Sequence, residues 1–294
     1  MAYTTLMSPA DLAGMLHDSN AGGSTGPLHE LAVVDCRFSL EDPAAGERAY
    51  LEQHIPGAVY AHLDRDLCGR TSGRNGRHPL PELAALVRTF SRFGIDASTQ
   101  VVAYGAHTDM FPTRLWWLLR WLGHNAVAVL DGGIDRWIAE GRPVAHGRET
   151  RTPRTFHGSP RMDMIADADA VARLRGDREA RVIDARAPER YRGDVEPIDK
   201  AAGHIPGAVN HPFKNSVDAS GRMLPPDQVR TAFERTLSGA SPDHAVCYCG
   251  SGVSACHALL AMEHAGLHGA KLYPGSWSEW SSDPSREIET GPNA

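Results

Sequence analysis

The sequence predicts an α/β protein of two tandem domains, each a mostly parallel sheet with helices on both faces. Three observations predict it. The chain has 294 residues, room for two domains of ordinary size. It also repeats itself: "HIPGAV" at His54–Val59 returns at His204–Val209, and "AVVDCR" (Ala32–Arg37) returns as "RVIDAR" (Arg181–Arg186). "VAYG" (Val102–Gly105) becomes "VCYC" (Val246–Cys249), and "LDGGIDRW" (Leu130–Trp137) becomes "YPGSWSEW" (Tyr273–Trp280). Four blocks in one order mean a duplicated domain. Third, strand-like and helix-like patterns alternate within each copy, as parallel sheets with helical crossovers require.

The elements follow in order. "LAVVDCR" and "TQVVAYG" in the first copy, and "ARVIDAR" and "HAVCYC" in the second, are short apolar runs bounded by charge, as buried parallel strands should be. "PELAALVRTFSRFG" reads as a helix with Pro81 near its start and Gly94 at its stop. "PTRLWWLLRWLG" is apolar nearly all round, so it predicts a buried helix. The stretch Gly141–Asp163 is polar and broken by Pro and Gly. It places a linker at 146–160, between a first domain at 1–145 and a second at 161–294.

Composition excludes several classes. Apolar residues make up 41% and charged residues 22%, enough to fill cores and keep a surface solvated. The net charge is -6, and lysine occurs only at Lys200, Lys214 and Lys271, so no segment suits nucleic acid or anionic lipid. The start "MAYTTLMSPADLAGML" has neither the basic residues nor the apolar run of a signal peptide, and no stretch reaches a membrane span. Cytoplasm is the expected location. The five cysteines (Cys36, Cys68, Cys247, Cys249, Cys256) form no disulfide framework and read as thiols of a reducing compartment.

Chemistry is concentrated at "CYCGSGVSACHALLAM", Cys247–Met262. Cys249 stands where a strand ends, and ligands in such sheets bind beyond the carboxyl ends of strands. Gly250 and Gly252 let the following turn aim its amides inward. Ser254 reads as the N-cap of a helix that stops near Gly266. A helix start carries unpaired N–H groups and partial positive charge, so the loop suits a sulfur that is, or carries, an anion. The alternative is that Cys249 is a small core residue. Cys247 alternates to the other face of the strand and Cys256 lies on the helix, so both read as core. A metal site from Cys247, Cys249, Cys256 and His257 is disfavoured, because a Cys-x-Cys pair on a strand diverges. No metal and no cofactor is expected.

Those residues carry a family resemblance. The two "HIPGAV" blocks, "VIDAR", "RYRG" (Arg190–Gly193) and "CGSGVSA" (Cys249–Ala255) resemble the tandem-rhodanese sulfurtransferases over essentially the whole chain. A Cys-Gly-Ser-Gly-Val-Ser loop is similar to those of 3-mercaptopyruvate sulfurtransferases, whereas thiosulfate sulfurtransferases typically carry Cys-Arg-Lys-Gly-Val-Thr. The resemblance implies that Cys249 takes sulfur from a small anionic donor, holds it as a persulfide and passes it to a thiol, a thioredoxin-like protein or cyanide. Gly250, Ser251, Gly252, Val253 and Ser254 would surround that sulfur with backbone amides. Gly105 stands at the Cys249 position in the first copy, so the first domain is expected to be structural or to lend side chains.

The resemblance further implies a proton relay of Ser251, His78 and Asp64, the last two from "YAHLDRDLCGRTSGRNGRHPLP" (Tyr60–Pro81). Such a chain suits a leaving enolate that must take up a proton. The plain readings are a turn-capping Asp64 and a solvated loop His78. Arg70, Arg74 and Arg77 add positive charge for an anion or merely solvate that loop. Arg190 matches the family arginine that holds the donor's carboxylate; a surface pair with Glu189 or Glu196 is the alternative. Asp199 departs from the pattern, standing where animal-type mercaptopyruvate enzymes carry a second arginine. Three rivals remain in view. A phosphatase of this fold is disfavoured because Ala255 occupies the position of its arginine. A thiosulfate:cyanide sulfurtransferase is the nearest alternative, and a relay module delivering persulfide to a protein partner is more distant.

Overall fold

The protein is described by a computed structural model covering residues 2–20, 30–107, 109–177 and 179–292. It forms two compact units. The first comprises Met1–Cys68, Pro81–Pro160 and Ala219–Arg222; the second comprises Gly69–Leu80, Arg161–Asp218 and Met223–Ala294. The segment Gly69–Leu80 thus packs in the second unit although the chain runs back into the first after it.

In the first unit, β1 (Leu6–Met7), α1 (Pro9–Asn20), β2 (Glu30–Asp35), α2 (Ala45–Glu52), β3 (Val59–Tyr60), α3 (Leu63–Asp66), α4 (Leu83–Arg92), β4 (Thr99–Tyr104), α5 (Phe111–Trp121), β5 (Val127–Leu130) and α6 (Gly133–Ala139) follow in order. The sheet order is β1-β5-β4-β2-β3, and every pairing is parallel. As expected from its all-round apolarity, α5 is buried along its length apart from Arg120. Helix α4 ends at Arg92, just before Gly94 at φ +69°.

The second unit adds α7 (Ala168–Leu174), β6 (Arg181–Asp184), α8 (Pro188–Arg192), β7 (Val209–Asn210), α9 (Pro226–Leu237), β8 (Ala245–Tyr248), α10 (Ser254–His264), β9 (Lys271–Leu272) and α11 (Ser276–Trp280). Its sheet runs β7-β6-β8-β9, again all parallel. The runs rich in valine and isoleucine therefore became central strands, whose two covered faces demand apolar side chains at every position. Among the described residues no helix is long and apolar enough to cross a membrane.

The repeated motifs have one physical meaning in both units. In "DCR" and "DAR" the arginine folds back on the aspartate: Arg37 Nη2 donates to Asp35 Oδ2 at 2.6 Å and to the Gln53 carbonyl at 2.6 Å. Arg186 Nη2 does the same to Asp184 at 2.6 Å and the Gly203 carbonyl at 2.7 Å. Each carbonyl immediately precedes the histidine of "HIPGAV". The tyrosine of "VAYG" and "VCYC" fastens the same turn, since the N–H of Ile55 donates to Tyr104 Oη and that of Ile205 to Tyr248 Oη, both at 3.2 Å. His54 and His204 stack on Tyr50 and Tyr191, and each ring nitrogen Nδ1 contacts that tyrosine's carbonyl. The duplicated letters are a buried ion pair clamping a tight turn, used twice.

Candidate active site

Cys249 leaves the end of β8 and enters a turn that opens into α10. Its residue is buried, at 2% exposure. The N–H of Gly252 donates to Cys249 Sγ at 3.2 Å, as an amide nest for an anion should. Gly252 is required twice over: its φ is +77°, and a Cβ there would lie 2.5 Å from the Pro274 carbonyl oxygen. Gly250 is crowded differently, by side-chain tips rather than backbone. A Cβ on it would sit 3.0 Å from Arg77 Nη2 and 3.4 Å from Arg190 Nη1.

One expectation is corrected. Ser254 is the first residue of α10, and Val253 is the N-cap, already in the right-handed helical region with no side-chain cap bond. The loop winds into the helix without a capping hydroxyl, so the first-turn amides are not consumed by a side-chain cap. Val253 and Ser254 are both buried. Cys247 and Cys256 are fully buried, Cys256 donating its S–H to the Gly252 carbonyl at 3.3 Å.

A turn after β9 holds the loop from below. The N–H of Trp277 donates to the Cys249 carbonyl and that of Ser278 to the Gly250 carbonyl, both at 2.9 Å. Ser276 Oγ accepts the N–H of Cys249 at 3.1 Å and donates to the Tyr273 carbonyl at 2.9 Å. Ser276 does so with φ at +55°, a conformation a non-glycine residue adopts at a cost of about 1–2 kcal/mol. In the repeat it aligns with Gly133, whose φ is +60°. Sequence reasoning missed Ser276; the signal was there, a serine replacing the glycine of "DGG" directly beneath the cysteine.

His78 and Ser251 meet. His78 Nδ1 lies 2.7 Å from Ser251 Oγ, with both residues buried, at 8% and 7% exposure. His78 is placed by the segment Gly69–Leu80, whose ends are joined by the Gly69 N–H donating to the Pro79 carbonyl at 2.9 Å. Asp64 belongs to the first unit, exposed on α3, where its N–H donates to His62 Nδ1 at 3.2 Å.

Arg190 is neither free nor a simple surface pair. Its Nη2 donates to both oxygens of Glu196, at 2.6 and 2.9 Å, and to Asp199 Oδ2 at 3.4 Å. Arg77 Nη1 donates to the other oxygen of Asp199. Glu196 also accepts from Arg186 and from the N–H groups of Ile198 and Asp199. Burial works to raise its carboxyl, but those amides and Arg190 outweigh it and hold it below the usual range. Arg77 is the second residue that sequence reasoning left undecided: it reaches the loop beside Cys249.

In the first unit the corresponding place is filled. A Cβ on Gly105 would lie 2.7 Å from Asp109 Oδ2, and the other oxygen of that carboxylate accepts the N–H of Phe111 at 3.0 Å. The chain's own side chain occupies the turn.

Similarity to known proteins identifies the family of the chain. The rhodanese-like domain profile matches residues 8–140 and 167–283. A Pseudomonas aeruginosa protein named probable 3-mercaptopyruvate sulfurtransferase is 46% identical over 89% of this chain and 93% of its own. The thiosulfate sulfurtransferase of Bos taurus is 30% identical over 95% and 92%. The solved 3-mercaptopyruvate sulfurtransferase from Leishmania major superposes with a TM-score of 0.80 at 28% identity, covering 95% of this chain and 74% of that one. With two matched domains and relatives alike over nearly their whole lengths, the chain belongs to the rhodanese-like family, as a tandem-domain member of its sulfurtransferases.

Proposed function

We propose that the protein transfers sulfur from 3-mercaptopyruvate to a thiol, a thioredoxin-like protein or cyanide, through a persulfide on Cys249. The Cys249 thiolate attacks the donor's sulfur; the C–S bond breaks, and its electron pair leaves as the enolate of pyruvate. That carbon takes a proton, and the acceptor's nucleophile then attacks the outer persulfide sulfur, releasing the thiolate. The amides of Gly250 to Ser254 stabilise the anionic sulfur in both states. Arg190 holds the donor's carboxylate. Ser251 and His78 supply the proton, and Asp64 is assigned to the same relay on the family resemblance.

The observation that carries this reading is the 2.7 Å contact between His78 Nδ1 and Ser251 Oγ, one residue beyond Gly250 in the cysteine loop. A buried proton-transfer pair serves a donor whose leaving group must be protonated; thiosulfate leaves as sulfite and needs none. The test is initial rates with both donors. Ser251→Ala and His78→Gln should lower kcat with mercaptopyruvate by about 10²–10⁴-fold and change kcat with thiosulfate far less. Cys249→Ser should neither gain a sulfur atom in intact mass nor turn over. A wild type that prefers thiosulfate, with Ser251→Ala harmless to both donors, would hand the assignment to thiosulfate. That second reading draws support from the two guanidinium groups at Gly250, which suit a sulfonate as well as a carboxylate. The described cysteines stand outside disulfides, which supports a reducing compartment, and we place the protein in the cytoplasm.

A further inference from the structure

We propose that the first unit carries a second ligand site, a cavity beside its edge strand β3 in which Arg151 binds a phosphate group, free or on a small molecule.

The cavity holds about 560 Å³, within the range of pockets that take small ligands. Its lining residues all belong to the first unit, whereas Cys249 and Arg190 belong to the second. Four guanidinium groups line it: Arg65 from α3, Arg92 from the last turn of α4, and Arg148 and Arg151 from the segment after α6. That segment is fastened in place. The N–H of Gly147 donates to the Leu51 carbonyl at 2.8 Å, that of Glu149 to Tyr50 Oη at 2.8 Å, and that of Arg154 to the Ser91 carbonyl at 2.9 Å. The two arginines it carries therefore stand on a braced wall.

Three of the four guanidinium groups are closely matched. Glu47 takes Arg65 on one oxygen and Arg148 on the other, both at 2.6 Å, and Asp66 takes Arg92. Arg151 differs. Its pairing with Glu30 is long, 3.8 Å from Nη2, and the other Glu30 oxygen takes Arg154 Nη2 at 2.5 Å. Its Nε is enclosed without a hydrogen-bond partner, against Gly94, where a Cβ would lie 3.0 Å from it. Burial pulls the guanidinium's pKa down, and the distant Glu30 does not offset it. A cation so enclosed and so poorly matched is a cost to the fold unless an anion completes it.

The lining also selects the anion. Against the four arginines stand Glu47, Asp66 and Glu149, so one positive charge is in excess. The arginines come from three elements, so their donors approach from several directions. A tetrahedral phosphate offers three oxygens to such donors, whereas a planar carboxylate offers two. Val59, Tyr60 and Phe93 supply an apolar wall for the body of an ester.

Inorganic phosphate is the probe, titrated calorimetrically into the full-length protein. Arg151→Gln should weaken its binding about 10- to 100-fold, as expected for lost charge-assisted hydrogen bonds, and Arg151→Lys should retain most of the affinity. Arg190→Ala should leave phosphate binding unchanged. Acetate should bind about 10-fold more weakly than phosphate. Sulfur transfer by Arg151→Gln should match the wild type, which also shows that the variant folds. Phenyl phosphate binding more tightly than inorganic phosphate names an ester as the occupant, and equal affinities name the free ion. The proposal is overturned if Arg151→Gln binds phosphate as the wild type does, or if Arg190→Ala abolishes the binding instead. Equal affinities for phosphate and acetate overturn it too, as does weak binding indifferent to every substitution, the mark of an adventitious ion only.

Discussion

Replacing Gly252 with alanine tests the cradle itself. The residue lies at φ +77°, where an L side chain costs about 1–2 kcal/mol. Its new Cβ would also meet the Pro274 carbonyl oxygen at 2.5 Å, closer than real carbon–oxygen contacts allow. That oxygen is backbone and not the tip of a flexible side chain, so relief requires the turn itself to shift; overpacking of this kind adds about 1–3 kcal/mol. The expected total is about 2–5 kcal/mol of stability. The shift would travel to Ser276, two residues beyond Pro274, and so to the acceptor of the Cys249 N–H. Activity should fall as well, because the Gly252 N–H no longer points at Sγ. Gly250→Ala is the control: Gly250 has no positive φ, and its Cβ would meet only the tips of Arg77 and Arg190. It should leave the urea midpoint nearly unchanged and raise KM. Urea unfolding and steady-state kinetics on both variants decide the matter. A Gly252→Ala protein with wild-type midpoint and kcat would refute the reasoning.

Two further outcomes are expected. Gly105→Cys, placed in the Cys249→Ser protein, should load no sulfur by intact mass, because Asp109 fills the space into which the thiol would point; a sulfur adduct mapped to position 105 contradicts this. Stability should also fall as pH drops from about 6.5 toward 4, since burial pushes His211 and His257 down to about 4 and unfolding lets each take up a proton. Each contributes up to about 3 kcal/mol that is present above pH 6.5 and lost below it, so His257→Leu should flatten the acid limb of a urea-midpoint profile.

The fold was legible because its determinants are local or repeated. Central parallel strands need apolar residues on both faces, and "LAVVD", "RVID" and "AVCY" show it without any partner in view. The "HIPGAV" turns and the "DCR" and "DAR" clamps recur because the same buried ion pair is needed at each end of the duplication. Cys249 drew notice through strand end, glycines and helix start, all within a few residues. The Ser254 expectation failed since a cap depends on the φ and ψ of one residue, and Val253 had already turned helical.

The amino-acid order by itself determined the duplication, the sheets, the thiol at a strand end and the Gly105 gap in the first copy. Those properties follow from side-chain periodicity and turn chemistry over a handful of neighbouring residues. Only the tertiary structure decided which unit owns the segment Gly69–Leu80, and with it that His78 meets Ser251 across 173 residues of chain. It alone turned Asp199 from a missing arginine into a bridge between Arg77 and Arg190, and put Ser276 in a glycine's conformation under Cys249. Contacts of that separation are set by how packed elements bring distant loops together, and no local pattern encodes where such a loop comes to rest.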